Sequence, residues 1–430
     1  MMEAFPLLVF LLLLVLNVPV AFALALASLG FFVFVDGIPI RLFIQRFVSA
    51  TESFPLLAIP FFILAGVIMN RAGITRRIMA LADTLAGHMI GGLARVNVLL
   101  STLMGGMSGS ANADAAMQST ILVPEMTRRG YDRAFATAVT AFSAIISAII
   151  PPGIGLILFG FLANVSVGRL FLAGIVPGAL ICALMLVTVG RISKARHYPP
   201  SRETRASWGE RGSAFASALW ALIIPVGILG GIRFGIYTPT EAGAIAAVYA
   251  LLIGGFVYRS LDWRALPEIF VEAAVATGVI MLIICAAQAF GFYLSWERLP
   301  KQLSEGILAI SEQPVVILLI INLLLLAIGS MLEGGAALII LTPLFVPVIS
   351  SLGVDPVHFG IVMVLNLTIA GVTPPVGTLM YTACSISQVS ISDFVRSAGP
   401  LYLLMAVVLL LVTLVPALSL WLPDLAYGSQ

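Results

Sequence analysis

From residue 302 to residue 395 the chain contains no lysine or arginine, and the same holds for residues 134–168. Stretches of that kind cannot form the surface of a water-soluble domain, in which about 25% of residues are ordinarily charged. Here 10% of the 430 residues are charged and 60% are hydrophobic, so lipid must be part of the solvent. A formal net charge of only +2 argues against nucleic acid as a partner. The two lysines, Lys194 and Lys301, follow Ser193 and Pro300. Neither belongs to a G-x-x-x-x-G-K-[ST] loop, which excludes ATP hydrolysis by that route. Cys182, Cys285 and Cys384 stand singly in apolar surroundings and read as small packing residues. The N-terminus lacks the positive region of a secretory signal, so residues 5–35 are expected to remain as membrane helices.

The chain repeats itself at an offset of 223. Pro124, Pro151, Pro152 and Pro177, every proline between 101 and 180, fall on Pro347, Pro374, Pro375 and Pro400. Gly106, Gly130, Asp132 and Phe171 fall on Gly329, Gly353, Asp355 and Phe394. Residues 1–190 and 216–430 therefore read as two halves, joined by a linker at 191–215 that carries Pro199-Pro200 and six basic residues.

Each half predicts the same order of elements. Two apolar helices (5–17 and 18–36; 215–233 and 239–258) precede a third (54–70; 274–295) and an amphipathic stretch (71–88; 297–311). An apolar run interrupted by small polar residues follows (about 92–127; about 314–350), then a helix broken at Pro-Pro (about 132–166; about 355–388) and a final helix (169–190; 396–421). If the interrupted run is a re-entrant hairpin, each half crosses about five times, and an odd number inverts the second half. Charge placement agrees. With the linker in the cytoplasm, sixteen of the 22 basic residues fall inside, and counting either hairpin as one crossing destroys that bias. The fold expected is all-α and polytopic, two inverted repeats with both termini periplasmic.

Two places in each half break the helix at membrane depth, where freed backbone must line a cavity or be buried in protein. The first is Gly105 to Asp114, containing Ser108, Gly109, Ser110, Asn112 and Asp114, against Gly329 to Gly335, containing Glu333, Gly334 and Gly335. Close packing of small residues accounts for the glycines but not for Asn112, Asp114 and Glu333 in matched places. The second is Pro151-Pro152-Gly153 against Thr373-Pro374-Pro375-Val376-Gly377-Thr378. Paired prolines remove two amide donors and stop the helix. A stopped helix presents carbonyls that suit a small cation and amides that suit a carboxylate. Ser143 and Asn366, equivalent at the offset, lie about two turns before the breaks and could add side-chain oxygens. Without nearby cations, an anionic substrate would be held by helix ends, hydroxyls, amides and a bound cation. Glu125, Glu241 and Glu272 are expected at the interface, and His358, beside Asp355-Pro356, at the surface.

These features together resemble the large membrane subunit of tripartite ATP-independent periplasmic (TRAP) transporters, the DctM-like family. The resemblance rests on Pro55-Leu56-Leu57-Ala58-Ile59-Pro60-Phe61-Phe62, Gly105-Gly106-Met107-Ser108-Gly109-Ser110-Ala111, Pro151-Pro152-Gly153, Leu332-Glu333-Gly334 and Thr373-Pro374-Pro375-Val376-Gly377, and covers nearly the whole chain. It implies an elevator-type, ion-transporter-like permease of the bacterial inner membrane, working with a small four-helix membrane subunit and a periplasmic solute-binding protein that delivers an organic acid. That small subunit is expected to be a separate chain. The resemblance and the breaks together suggest no cofactor other than sodium as coupling ion, placed near Ser108, Ser110 and Gly153 and near Gly334, Thr373 and Gly377. A stand-alone sodium–anion symporter of similar architecture and a channel are the rival transport readings. An intramembrane serine hydrolase is a third, since Gly106-Met107-Ser108-Gly109 matches a nucleophile loop, but it lacks a base among His88, His197 and His358.

Overall fold

The computed structural model describes residues 5–35, 37–311 and 313–428, and every regular element among them is helical. In chain order these are α1 (Phe5–Val15), α2 (Val20–Phe34), α3 (Ile40–Ser49), α4 (Ala58–Arg71), α5 (Ile74–Ala86), α6 (Gly92–Ser108), α7 (Ala111–Arg128), α8 (Arg133–Ile149), α9 (Ile154–Leu162) and α10 (Val167–Ala195). They continue with α11 (Trp208–Arg233), α12 (Pro239–Leu252), α13 (Leu266–Trp296), α14 (Leu299–Leu308), α15 (Pro314–Gly329), α16 (Gly334–Ser351), α17 (Pro356–Ala370), α18 (Thr378–Ser387), α19 (Ile391–Leu414) and α20 (Ala417–Tyr427). Seven helical segments among the described residues are long and apolar enough to cross a bilayer, and α8 with α9 make a further span bent by 44°.

Both interrupted runs are helical hairpins, α6–α7 and α15–α16, and both Pro-Pro helices are broken, α8–α9 and α17–α18. Polar caps set where the second elements start. Asp132 accepts from Phe135 N (2.8 Å) at the head of α8, and Asp355 accepts from Val357 N (2.6 Å) at the head of α17. Capping boxes, Ser207 with Glu210 and Thr238 with Glu241, start α11 and α12. Glu241 and Glu210 thus serve helix starts, while Glu272 meets Arg71 at 3.1 Å and Glu125 meets Arg129 at 2.8 Å near helix ends.

Two groups of helices pack against each other. Helices α1, α2, α4, α12 and α13 form a wall, with α12 lying along α4 and α2 along α13. The hairpins, the broken helices, α10 and α19 form the other group. Helix α10, at 29 residues about 43 Å long, runs the full depth of that group. Its two ends carry different contacts. At the linker end, Tyr131 donates to Pro199 O (3.0 Å), and Tyr198 Oη accepts from the Asp132 amide (3.2 Å). At the other end, Arg169, 5% exposed, meets Asp424 (3.0 Å) and Asp355 (3.8 Å).

Several sequence expectations change in detail. The irregular linker is 196–207 rather than 191–215, because α10 runs on to Ala195 and the Ser207 cap starts α11 early. Helix α3, an amphipathic segment carrying Arg41, Gln45 and Arg46, was not expected. Helices α1 and α2 are 11 and 15 residues, about 16 and 22 Å, and fold back so that the Phe5 and Phe34 rings meet at 5.9 Å. The expected final helix 396–421 is two, α19 and α20, interrupted at 415–416. His358 is not a surface residue. It is 1% exposed, its Nδ1 lies 2.7 Å from Ser419 Oγ and its Nε2 3.3 Å from Thr413 O. The reason is that the end of α19 and the start of α20 lie over the head of α17, which the sequence pattern did not reveal. The ends of the chain, expected to be periplasmic, lie outside the described residues.

The equivalent residues Asp132 and Asp355 give a test of these contacts. Asp132→Ala should cost about 1 kcal/mol, the value of a helix cap. Asp355→Ala loses a cap and an Arg169 partner as well, and should cost roughly 1 kcal/mol more. Thermal unfolding of the purified variants in detergent measures the difference; equal losses would mean that the Arg169 contact contributes nothing.

Candidate functional site

The two hairpin tips are built alike at equivalent positions. Ser110 is the N-cap of α7, its hydroxyl accepting from Ala113 N at 3.4 Å, and Glu333 is the N-cap of α16, accepting from Ala336 N at 2.9 Å. These positions differ by 223, so the repeat reappears as a matching cap. Each tip then docks on the break of its own half. Ile154 N, the first amide of α9, donates to Gly109 O at 3.1 Å. In the second half, Val376 N and Gly377 N donate to Ser330 O at 3.1 and 3.0 Å. Gly109 has φ +59°, and a Cβ on it would come within 2.2 Å of Pro152 O, so only glycine allows that approach.

The result is one cavity of about 440 Å³ walled by both tips and both breaks. From the tips come Gly109, Ser110, Asn112, Glu333, Gly334 and Gly335, and from the breaks Gly155, Thr368, Gly371 and Thr378. Helices α2 and α13 close it with apolar residues, among them Val20, Val279 and Ile283. Among the described residues, Glu333 is the only charged one lining it, and no lysine or arginine does. Four helix N-termini (α7, α9, α16 and α18) and four C-termini (α6, α8, α15 and α17) surround this region. Each end carries about half an elementary charge of one sign or the other. A cavity so edged can hold a carboxylate against amides and a small cation against carbonyls.

The remaining sequence candidates do not line the cavity. Ser108, Pro151, Pro152, Gly153, Thr373, Pro374, Pro375 and Gly377 form the breaks around it, and Thr373 Oγ1 donates to Ile369 O (2.9 Å). Ser143 and Asn366 instead clamp hairpin to broken helix. Ser143 donates to Asn97 Oδ1 (2.9 Å), with Asn97 donating to Thr140 (2.6 Å). Asn366 donates to Asn322 Oδ1 (2.8 Å), and Asn322 in turn donates to Thr413 (2.8 Å). Asn97 and Asn322 escaped the sequence reading because their separation is not 223; a search for buried amides on both first hairpin arms would have found them. Gly155 stands two residues beyond the Pro151-Pro152-Gly153 break, whereas Thr368 and the α2 and α13 residues carry no signal of their own.

Asp114 is wholly buried behind the first tip, and among the described residues neither carboxylate oxygen has a hydrogen-bond partner. The hydroxyls of Ser108 and Ser147 are near it. A buried carboxylate beside hydroxyls and the α6 C-terminus is a fitting donor set for a small hard cation. His358, held by Ser419 and Thr413, is no base for Ser108.

Residues 7–418 match the family described as tripartite ATP-independent periplasmic transporter, DctM component. The chain belongs to that family. It is 40% identical over 412 residues to the sialic acid TRAP transporter large permease protein SiaM of Vibrio cholerae, covering 96% of each chain. It is 36% identical to the C4-dicarboxylate TRAP transporter large permease protein DctM of Pseudomonas aeruginosa, covering 91% of this chain and 90% of that one. It is 39% identical to the isethionate TRAP transporter permease protein DctMQ of Oleidesulfovibrio alaskensis, covering 96% of this chain and 65% of that one. Among solved structures, the Alcanivorax borkumensis YdaH transporter aligns with a TM-score of 0.62 at 15% identity, covering 95% of this chain and 97% of the other. Neisseria gonorrhoeae MtrF aligns at 0.60 and 14% identity, covering 94% of each. Those two share the fold. This member of the DctM family is therefore an inner-membrane large permease subunit of a secondary transporter and not an enzyme.

The tip geometry predicts an unequal effect of two glycine substitutions. Gly109→Ala and Gly130→Ala both force alanine to positive φ, at about 1–2 kcal/mol each. Only at 109 does the new Cβ also strike backbone; nothing lies within 4 Å at 130. Gly109→Ala should lower the melting temperature in detergent more than Gly130→Ala. Equal shifts would show that the tip does not sit against Pro152.

Proposed function

We propose that this DctM-family permease imports a small organic acid, driven by a sodium gradient and delivered by a periplasmic solute-binding protein, by an elevator movement of the hairpins and broken helices. The observation that carries the proposal is the single cavity shared by both tips and both breaks. Its amide-rich helix starts suit a carboxylate, and its carbonyl-rich helix ends suit sodium. The relatives named for sialic acid, isethionate and C4-dicarboxylates all handle acids by name, which favours the same substrate class here. Family membership favours partnership with a small four-helix membrane subunit over a stand-alone symporter. Sodium is proposed near Ser108, Ser110 and Gly153, with Asp114 behind them, and near Gly334, Thr373 and Gly377.

Inverted halves, 1–190 and 216–430, complete the proposal. In support, Asp132 heads α8 beside the linker, whereas its equivalent Asp355 heads α17 at the far end of the 43 Å helix α10, beside Arg169. Matched helices that start from opposite faces let one site be offered to either side in turn.

In proteoliposomes containing the whole system, replacing sodium by choline should abolish binding-protein-driven uptake. Asp114→Asn should reduce the sodium dependence while the protein remains folded, since it keeps the shape but removes the charge. Full uptake in choline would refute sodium as the coupling ion.

The inverted arrangement is tested with single cysteines at Arg129 and Ser351, both exposed, in a background lacking the three buried native cysteines. A membrane-impermeant thiol reagent applied to spheroplasts should label position 351 and spare 129. Labelling of both from outside, or of neither, would overturn the topology.

A further inference from the structure

A second cavity, about 330 Å³, opens where the linker end of α10 meets the start of α6. It is lined by Arg95 from α6 and by Leu186, Val187, Gly190, Arg191 and Lys194 from α10. No carboxylate lines it, and none of its three cations forms an ion pair among the described residues. The transport site does not use it.

Two of the cations have an ordinary explanation. Lys194 lies in the last turn of α10 and Arg191 one turn earlier, where the helix dipole favours positive charge. Arg95 has no such explanation. It occupies the first turn of α6, where the dipole adds to its charge, and it faces two more cations. Yet it is firmly placed. Its Nε donates to Ile90 O (3.2 Å), and its Nη1 reaches Met89 Sδ (3.5 Å). Its Nη2 rests on Gly190, where a Cβ would lie 2.0 Å away. Three unneutralised cations held around one cavity call for an anion. The exposed apolar side chains of Met89, Ile90 and Val187 beside them show that the anion's neighbours are hydrocarbon.

We propose that this cavity holds the phosphate of an acidic phospholipid of the cytoplasmic leaflet, its acyl chains lying along Val187 and Leu186. Basic pockets between membrane helices on the cytoplasmic side are a recurrent way of recognising such headgroups. The site joins the first hairpin to α10 at one face, so the lipid would brace that corner.

The test uses delipidated protein in detergent, titrated separately with cardiolipin, phosphatidylglycerol, phosphatidylcholine and inorganic phosphate. Bound lipid is read by native mass spectrometry and protection by thermal shift. Cardiolipin and phosphatidylglycerol should bind and protect, and phosphatidylcholine should not. R95Q/R191Q/K194Q should weaken acidic-lipid binding on the order of a hundredfold, at roughly one charge's attraction per cation. Gly190→Leu, which keeps all three charges but fills the bed of Arg95, should weaken it too. If the triple variant does not fold, R191Q/K194Q at two exposed positions should still lose roughly thirtyfold. Undiminished acidic-lipid binding in the folded variants would overturn the site. Protection by inorganic phosphate without lipid would overturn the lipid in favour of a soluble anion. The assay involves no transport, so its failure leaves the proposed function untouched.

Discussion

Everything at the centre of this protein follows from the cost of leaving a helix inside a membrane. With no water at that depth, each freed amide or carbonyl must find a partner within the protein. The chain leaves its helices four times and answers each departure with a contact between a tip and a break. Gly109 O takes the first amide of α9, and Ser330 O takes two amides from the second break. Only the groups that these contacts do not use remain available at the cavity. The proposed ion and substrate contacts are thus the remainder of a structural requirement, which is why they sit where four elements end together.

The two halves solve the same problem with different residues. Ser110 and Glu333 both cap a hairpin arm, but one does so with a hydroxyl and the other with a carboxylate. The surroundings differ as well. Pro151, Pro152 and Gly153 are buried, and Gly106 is covered by Pro225 of α11, whereas Pro374, Pro375 and Val376 are exposed. The charges are unequal too: the buried Asp114 lies behind the first tip, and Glu333 faces the cavity from the second. A repeated scaffold therefore gives the two proposed sites different surroundings, so they need not bind alike.

The sequence revealed this architecture through its interruptions. Prolines matched at one offset located both breaks, and Gly-Ser-Asn-Asp in an apolar run located a hairpin, because lipid tolerates such residues only for a reason. What stayed hidden was what depends on distant parts of the chain. His358 looked like a surface residue because its neighbours Asp355 and Pro356 are a helix start; the end of α19 and the start of α20, some sixty residues on, bury it. Ser143 and Asn366 were recognised as paired, but an oxygen that binds a ligand and one that binds Asn97 or Asn322 look the same in a string of letters. The cavity's apolar wall, from α2 and α13, is composed of residues that every membrane helix contains.

Those clamps and that wall together bear on how the protein could move. Within each half, hairpin and broken helix are joined by buried amide and hydroxyl bonds, Asn97 to Ser143 and Asn322 to Asn366. Breaking them in a dry interior would leave unpaired polar groups at about 1–3 kcal/mol each, so each hairpin is expected to travel with its broken helix. Against the wall the cavity is bounded by Pro19, Val20, Ala21, Val279, Ile280 and Ile283, which make dispersion contacts that another apolar surface, or lipid, can replace at little cost. The strong directional bonds therefore lie inside the unit proposed to move, and the replaceable contacts lie where that unit meets the wall. An elevator needs that division, because a sliding surface held by hydrogen bonds would have to break them at every cycle.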